Sequence, residues 1–181
     1  MTRDAVRRLL LAREPADAKE DADRRAMLAF LEGLPEPFSR DQRGAHFTAS
    51  ALVVDAARTR TALVHHRKLA LWVQPGGHID EADGSVAAAA LREAREETGL
   101  DGTLVRDEPV HLDIHEIPER PDMPAHLHLD VRFLVVADGD LALSDESLDV
   151  QWLGFDEAAR RGDESLRRLL GACIHAGTSR S

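Results

Sequence analysis

Tyrosine is absent from this chain, cysteine occurs once, at position 173, and lysine only twice, at 19 and 68. A single cysteine excludes an intramolecular disulfide and any zinc cluster built on cysteines. No apolar run reaches the 18 residues that a membrane-crossing helix needs. The first 25 residues carry charges throughout and lack the apolar centre of a secretory signal, so a soluble, cytoplasmic protein without membrane contact is expected. Basic clusters are missing too, and with a formal net charge of −10 the chain is ill suited to nucleic-acid backbones as its main partner. An acidic chain still takes an anionic phosphate if a cation lies between the charges. Arginine's excess over lysine reads as coding bias. What remains is an ordinary globular composition, 43% hydrophobic over 181 residues, sufficient for one sizeable core.

The most informative stretch is PGGHIDEADGSVAAAALREAREETGL, residues 75–100. It reads as a tight glycine turn, an acidic loop and an alanine-rich helix. Ser85 fits the N-cap, where its hydroxyl accepts from an N–H that the first turn leaves unpaired, and Gly99 fits the end, where a positive φ costs glycine little. At 100° per residue Ala87, Leu91, Ala94 and Thr98 fall on one narrow face, with Glu93, Glu96 and Glu97 roughly opposite. Three neighbouring carboxylates repel one another unless a hard divalent cation such as Mg²⁺ or Mn²⁺ joins them. Arg92, four residues before Glu96, can hold a carboxylate through its planar fork.

Gly77, five residues, Asp83, eight residues, Arg92-Glu93-Ala94, one residue, Glu96-Glu97, one residue and Gly99-Leu100 resemble the Nudix box, G-x5-E-x7-R-E-U-x-E-E-x-G-U with U aliphatic. Asp83 stands where that family usually has Glu, and one extra residue separates it from Arg92. The metal-binding half, REAREETGL, is intact. The resemblance implies an α/β (α+β) Nudix fold, a mixed β-sheet core sandwiched between helices. It also implies a hydrolase that cleaves a phosphoanhydride in a nucleoside diphosphate joined to another group. By motif position Gly77, Glu93, Glu96 and Glu97 would hold Mg²⁺ or Mn²⁺, Glu93 or Glu97 would accept the proton of the attacking water, and Arg92 would orient a glutamate. The alternative is a non-catalytic domain that senses a nucleotide, but such domains tend to lose box carboxylates and none is missing here. An isopentenyl diphosphate isomerase would need a cysteine near its substrate, whereas Cys173 falls in a C-terminal helix. Substrate signatures are weak. His115 or Glu116 occupies the register where ADP-ribose hydrolases often carry a proline, with Pro118 only nearby, and the tyrosine frequent in dinucleoside polyphosphate hydrolases does not exist here.

Along the chain, helices are expected over 3–12 and 16–32, forming an N-terminal extension (1–35) ahead of the Nudix domain (36–181). They would cap the domain, with a homodimer contact as the other use. Strands are expected over 45–55, 59–66, 69–74, 102–106, 110–117, 127–137 and 149–153, a proline-rich loop over 118–125, a short helix capped by Asp156, and a last helix over 164–175. His46, Thr48 and Ser50 alternate onto one strand face. The series His126-x-His128-x-Asp130 is similar, and it reads as pocket lining in preference to a dedicated metal site. His46, Thr48, His78, His128 and Asp130 are therefore the candidate substrate-binding residues. Trp72 and Trp152 read as core, and Glu116, Asp145 and Glu146 as solvated acids, one of which could serve as an extra base.

Overall fold

A computed structural model of the chain describes residues 1–67, 70–119, 123–145 and 147–177, the side chains of 174–177 excepted. Two helices come first, α1 (Arg3–Ala12) and α2 (Ala18–Gly33). Strands β1 (Ala45–Val54), β2 (Arg60–His66), β3 (Leu71–Val73) and β4 (Gly76–His78) lead into α3 (Val86–Thr98). Then follow β5 (Thr103–Leu104), β6 (His111–Ile117), β7 (His126–Val136), β8 (Ser147–Gly154), α4 (Phe155–Arg161) and α5 (Glu164–Gly177). The eight strands form one mixed sheet. β1 and β7 run parallel through its centre, Ala45 opposite Leu127 to Val54 opposite Val136, and every other pairing is antiparallel. The expected mixed sheet between helices is what forms, with corrections to its parts.

β1 is buried along its whole length because both of its faces are covered. Phe47, Ala49, Ala51 and Val53 join Leu129, Val131, Phe133 and Val135 of β7 in a core closed by α1, α2 and α3. On the opposite face, Leu52 and Val54 meet Leu63, Leu134 and the residues Ala158, Leu166, Leu169 and Leu170 of α4 and α5. The same face of β1 carries His46, Thr48 and Ser50, because side chains two apart share a side. One strand face is thus apolar at one end and polar at the other.

The N-terminal helices are part of this packing. Val6, Leu10, Met27 and Leu31 are fully buried in the first core. Their polar contribution is more specific. β6 pairs only with β7 among the described strands, so its outer edge presents free N–H groups. Glu20 of α2 accepts from Leu112 N–H at 3.0 Å and Asp23 accepts from Ile114 N–H at 3.1 Å. Glu20 also takes Arg13 in a two-pronged pair (2.6 and 3.0 Å) and the N–H of Ala16 at 2.7 Å. Burial alone would raise its pKa, but these donors outweigh burial and hold it below the usual value.

Four sequence expectations change. The segment Pro75-Gly76-Gly77 is no tight turn: Gly76–His78 is a short strand paired with Ser50, Ala49 and Thr48 of β1, and neither glycine has a positive φ. The strand expected over 102–106 shrinks to two residues. Asp156 is not a cap but sits in the first turn of α4, whose N-cap is Gly154. Trp72 and Trp152 are half-buried and pack against the cores as expected, and each ring also carries an arginine over it, Arg161 at 5.3 Å and Arg60 at 4.8 Å. The apolar face of α3 is rotated, as described below. Parts of the expected 65–68 turn and 118–125 loop, and Glu146, lie outside the described residues.

Glu20→Ala should leave Arg13 and the Leu112 N–H unpaired in the interior. The expected loss is about 3–5 kcal/mol of stability, read by chemical denaturation. A loss below ~1 kcal/mol, the range of surface ion pairs, would show that α2 is held by its apolar contacts alone.

Candidate active site

The helix α3 forms as its sequence dictates. Ser85 Oγ accepts from Ala88 N–H at 3.1 Å, and Gly99 closes the helix at φ 74°. Its buried positions are Val86, Ala89, Ala90, Ala94, Glu97 and Thr98, while Ala87 and Leu91 are half-buried. The arc facing the sheet is thus centred on Ala90, Ala94 and Glu97, and Glu97 is a buried carboxylate at 6% exposure, not part of the outer face. It survives there because Gly76 N–H donates to its Oε2 at 2.9 Å. Glu93 is largely buried beside it, and Glu96 is exposed.

The two glycines of β4 allow this approach. A Cβ on Gly77 would stand 2.8 Å from the carboxylate carbon and both oxygens of Glu93, and one on Gly76 would collide with the Ser50 side chain. The requirement is closeness, not backbone conformation. Burial pushes the Glu93 pKa up, with the charges of Glu96 and Asp80 adding to it against the opposing pull of Arg92. A largely buried carboxylate in a glycine cradle, with two more carboxylates on the same helix, is a donor set of hard oxygens suited to Mg²⁺ or Mn²⁺.

Arg92 holds the assembly. Its Nε and Nη2 donate to both oxygens of Asp83 at 3.1 and 3.0 Å. Nη2 also reaches the His78 carbonyl at 2.9 Å, and Nη1 reaches Glu93 at 2.9 Å and Glu96 at 3.1 Å. Asp83, expected as a departure in the loop, is therefore the residue that receives the fork. Burial would raise the Asp83 pKa, but the Arg92 hydrogen bonds prevail and hold it low; the Arg92 pKa is raised in return, first of all by Asp83. The loop, β4 and two carboxylates of the helix meet on one guanidinium.

These residues border a cavity of about 470 Å³ whose walls include Gly76, Gly77, Arg92, Glu93, Glu96 and Glu97 on one side and Thr48, His78, His115, His126, His128 and Asp130 on another. A larger cavity, about 800 Å³, opens beside α4 and α5 near Val54, Leu134 and Phe155 and contains no residue of the carboxylate helix. At the floor of the first, Asp130 accepts from Ser50 at 2.8 Å, Thr48 at 3.2 Å and Arg132 Nε at 2.7 Å. Arg132 is 1% exposed and also donates to Asp113 at 3.1 Å and to Ser165 Oγ at 2.8 Å, and Lys19 Nζ, 3.1 Å from Asp113, supplies the second positive charge that the two carboxylates need. Of the acids weighed as an extra base, Glu116 is exposed on β6 and Asp145 is exposed after β7; neither borders the cavity.

The family model of the NUDIX domain matches residues 44–172. The chain belongs to the Nudix family. The rat asymmetrical bis(5'-nucleosyl)-tetraphosphatase is 29% identical over 99 residues, which cover 54% of this chain and 61% of that relative, so the match spans less than two thirds of its length. A Nudix hydrolase from Clostridium perfringens superposes with a TM-score of 0.59 at 23% identity, covering 72% of this chain and 97% of the other. The NUDIX domain of Shewanella oneidensis NrtR, complexed with ADP ribose, gives 0.60 at 18% identity over 83% and 97% of the two chains. At these identities the structures share the fold.

Within this Nudix domain the box residues Gly77, Arg92, Glu93, Glu96 and Glu97 lie on one side of the cavity. His78, Thr48, His128 and Asp130 line it as well, and His46 packs beside His78 and His128 with ring centroids 5.1 and 5.0 Å away. Among the cavity residues not named as candidates from the sequence are Gln74, His115 and His126. His115 lies directly opposite His128 in the β6–β7 ladder, a relation that only the strand register reveals. Burial drives the His78 pKa down to about 4, with Arg40 adding to it, and the His128 pKa to about 2, with the neighbouring imidazoles adding to it. Both rings are therefore neutral near pH 7.

Two substitutions probe the cradle and the fork. Gly77→Ala displaces the flexible end of Glu93, so the fold should keep its melting temperature while the Mg²⁺ concentration for half-maximal ion binding rises about tenfold or more. Unchanged metal affinity would mean that Glu93 is not a ligand. Arg92→Lys keeps the charge but loses the two-pronged contact with Asp83. The expected result is a fall in kcat with little change in KM. A raised KM with unchanged kcat would put Arg92 on the substrate.

Proposed function

We propose that this protein is a divalent-cation-dependent pyrophosphohydrolase acting on a nucleoside diphosphate linked to a second moiety. The observation that carries the proposal is the convergence of Glu93, Glu96, Glu97 and the unhindered Gly77 on one cavity, with Arg92 fixing their positions. In this reading Glu93, Glu96, Glu97 and the Gly77 carbonyl hold Mg²⁺ or Mn²⁺. A cation held there would offset diphosphate charge and lower the pKa of a coordinated water. Glu97 is anchored by the Gly76 N–H and is a fixed ligand. Glu93, largely buried beside Gly77 and held by Arg92, is our choice of general base. Arg92 is a positioning residue, engaged by Asp83 and the His78 carbonyl.

His46, Thr48, His78, His128 and Asp130 are proposed to shape the end of the cavity that receives the substrate. Neutral imidazoles there can donate to phosphate or ribose oxygens without adding charge. The nucleotides named for the relatives, a bis(5'-nucleosyl) tetraphosphate for the rat protein and ADP ribose for the Shewanella domain, define the first compounds to assay. A cytoplasmic monomer or homodimer serves equally well, since the site is assembled within one chain.

Phosphate-product release should be measured on a panel of nucleoside diphosphate derivatives and dinucleoside polyphosphates, with Mg²⁺, with Mn²⁺ and with excess chelator. Turnover of at least one compound is expected, abolished by chelator and lowered about a hundredfold or more in Glu97→Gln. Nucleotide binding without turnover under every metal condition would replace this reading with a sensor domain.

A further inference from the structure

Outside the carboxylate set the densest chemistry in the molecule is its histidines. His46 lies opposite His128 in the parallel β1–β7 pair, and β4 brings in His78 by pairing it with Thr48. One ring nitrogen of each lies within 4.8 Å of the others. The simplest alternative is that these are core histidines with satisfied hydrogen bonds. That account fails at two atoms, because His46 Nε2 and His78 Nε2 are both buried and have no hydrogen-bond partner. His46 is only 2% exposed, so water does not readily supply one.

The outward nitrogens are arranged as metal-binding histidines usually are, with the far nitrogen on a carbonyl. His46 Nδ1 faces the Gln42 carbonyl at 3.4 Å, and His126 Nδ1 faces the Pro124 carbonyl at 2.9 Å. A proton on Nδ1 leaves the Nε2 lone pair free toward the cluster. His126 Nε2 is 3.3 Å from His128 Nε2. Two ligands about 2.0–2.1 Å from a tetrahedral Zn²⁺ stand about 3.3 Å apart, so this pair already has the spacing of one edge. Closure on an ion draws the other nitrogens in from their 4.8 Å spread by side-chain rotation. Arg40 donates to His78 Nδ1 at 3.0 Å, but it is an exposed side chain and can release the ring.

We propose that His46, His78 and His128, with His126 beside them as a fourth donor, form a second metal site that takes a borderline divalent transition ion of the Zn²⁺ type. Imidazole nitrogens favour such ions over Mg²⁺, which the carboxylates of α3 suit better. The histidines border the cavity through His78, His126 and His128, across from the carboxylates, and the two donor sets share no ligand. The inference does not depend on the pyrophosphohydrolase reading, since it concerns binding of the ion alone.

Co²⁺ serves as the probe, because its visible absorption reports tetrahedral nitrogen ligation. The metal-free full chain should bind one equivalent of Co²⁺ with a visible band that Zn²⁺ abolishes and a large excess of Mg²⁺ leaves in place. His46→Gln and His128→Gln should weaken that binding at least tenfold. Glu96→Gln, on the carboxylate side, should leave it within twofold. His78→Gln, at a half-buried position, repeats the test if a buried variant fails to fold, as judged by circular dichroism. No saturable band in the wild-type chain overturns the proposal. So does a band that Mg²⁺ displaces, or one that persists in the folded histidine variants and disappears in Glu96→Gln.

Discussion

The guanidinium of Arg92 is the contact on which the carboxylate site rests. Three glutamates within five residues of one helix repel one another, and one of them, Glu97, is buried in the face that meets the sheet. Arg92 offsets that charge while gripping Asp83 in the preceding loop and the carbonyl of His78 in β4. The loop, the short strand and the helix are thereby locked in one geometry. A planar five-donor group can do this and a lysine ammonium cannot. The substitution of Asp for the family's usual Glu in the loop fits the same picture: the side chain is shorter, the loop is one residue longer, and both carboxylate oxygens still meet the fork.

The sheet supplies the second half of the site through one strand with two characters. β1 presents His46, Thr48 and Ser50 and then Leu52 and Val54 on the same face, so the polar cavity and the second apolar core are consecutive stretches of one surface. A buried polar stretch needs its charges matched, and Arg132 and Lys19 do so for Asp130 and Asp113 under the cavity. Burial would raise the Asp113 pKa, but His115, Arg132 and Lys19 together hold it far below the usual carboxylate range. The other margin of the sheet is sealed by α2, whose Glu20 and Asp23 occupy the edge N–H groups of β6. The N-terminal helices therefore stabilise the strand that brings His115 to the cavity.

Much of this was legible in the residues. The caps of α3 follow from Ser85 and Gly99 because capping is local, and the box residues fall together because their spacing is helical. Local pattern failed where the deciding contact was distant. Gly76 and Gly77 suggest a turn to any local reading, yet their role is to let β4 lie against both Ser50 and Glu93. Alanine gives no sign of which side of α3 is inward, and the true inward side, centred near Ala90 and Ala94, includes an acid that accepts a hydrogen bond from the Gly76 N–H. The gathering of histidines from β1, β4, β6 and β7 could not be read from a sequence, because it depends on pairing registers between strands as much as 82 residues apart. The alternation of His126, His128 and Asp130 hinted at a polar face without showing what it faces.

The central claim is that Glu93 and Glu97, brought against Gly77 by the Arg92 network, bind a divalent cation. Anomalous scattering from crystals of the protein soaked in Mn²⁺ tests it most directly. The account predicts a peak between the Glu93 and Glu97 carboxylates beside Gly77. A data set with no peak there, or with manganese only among the imidazoles across the cavity, would contradict it.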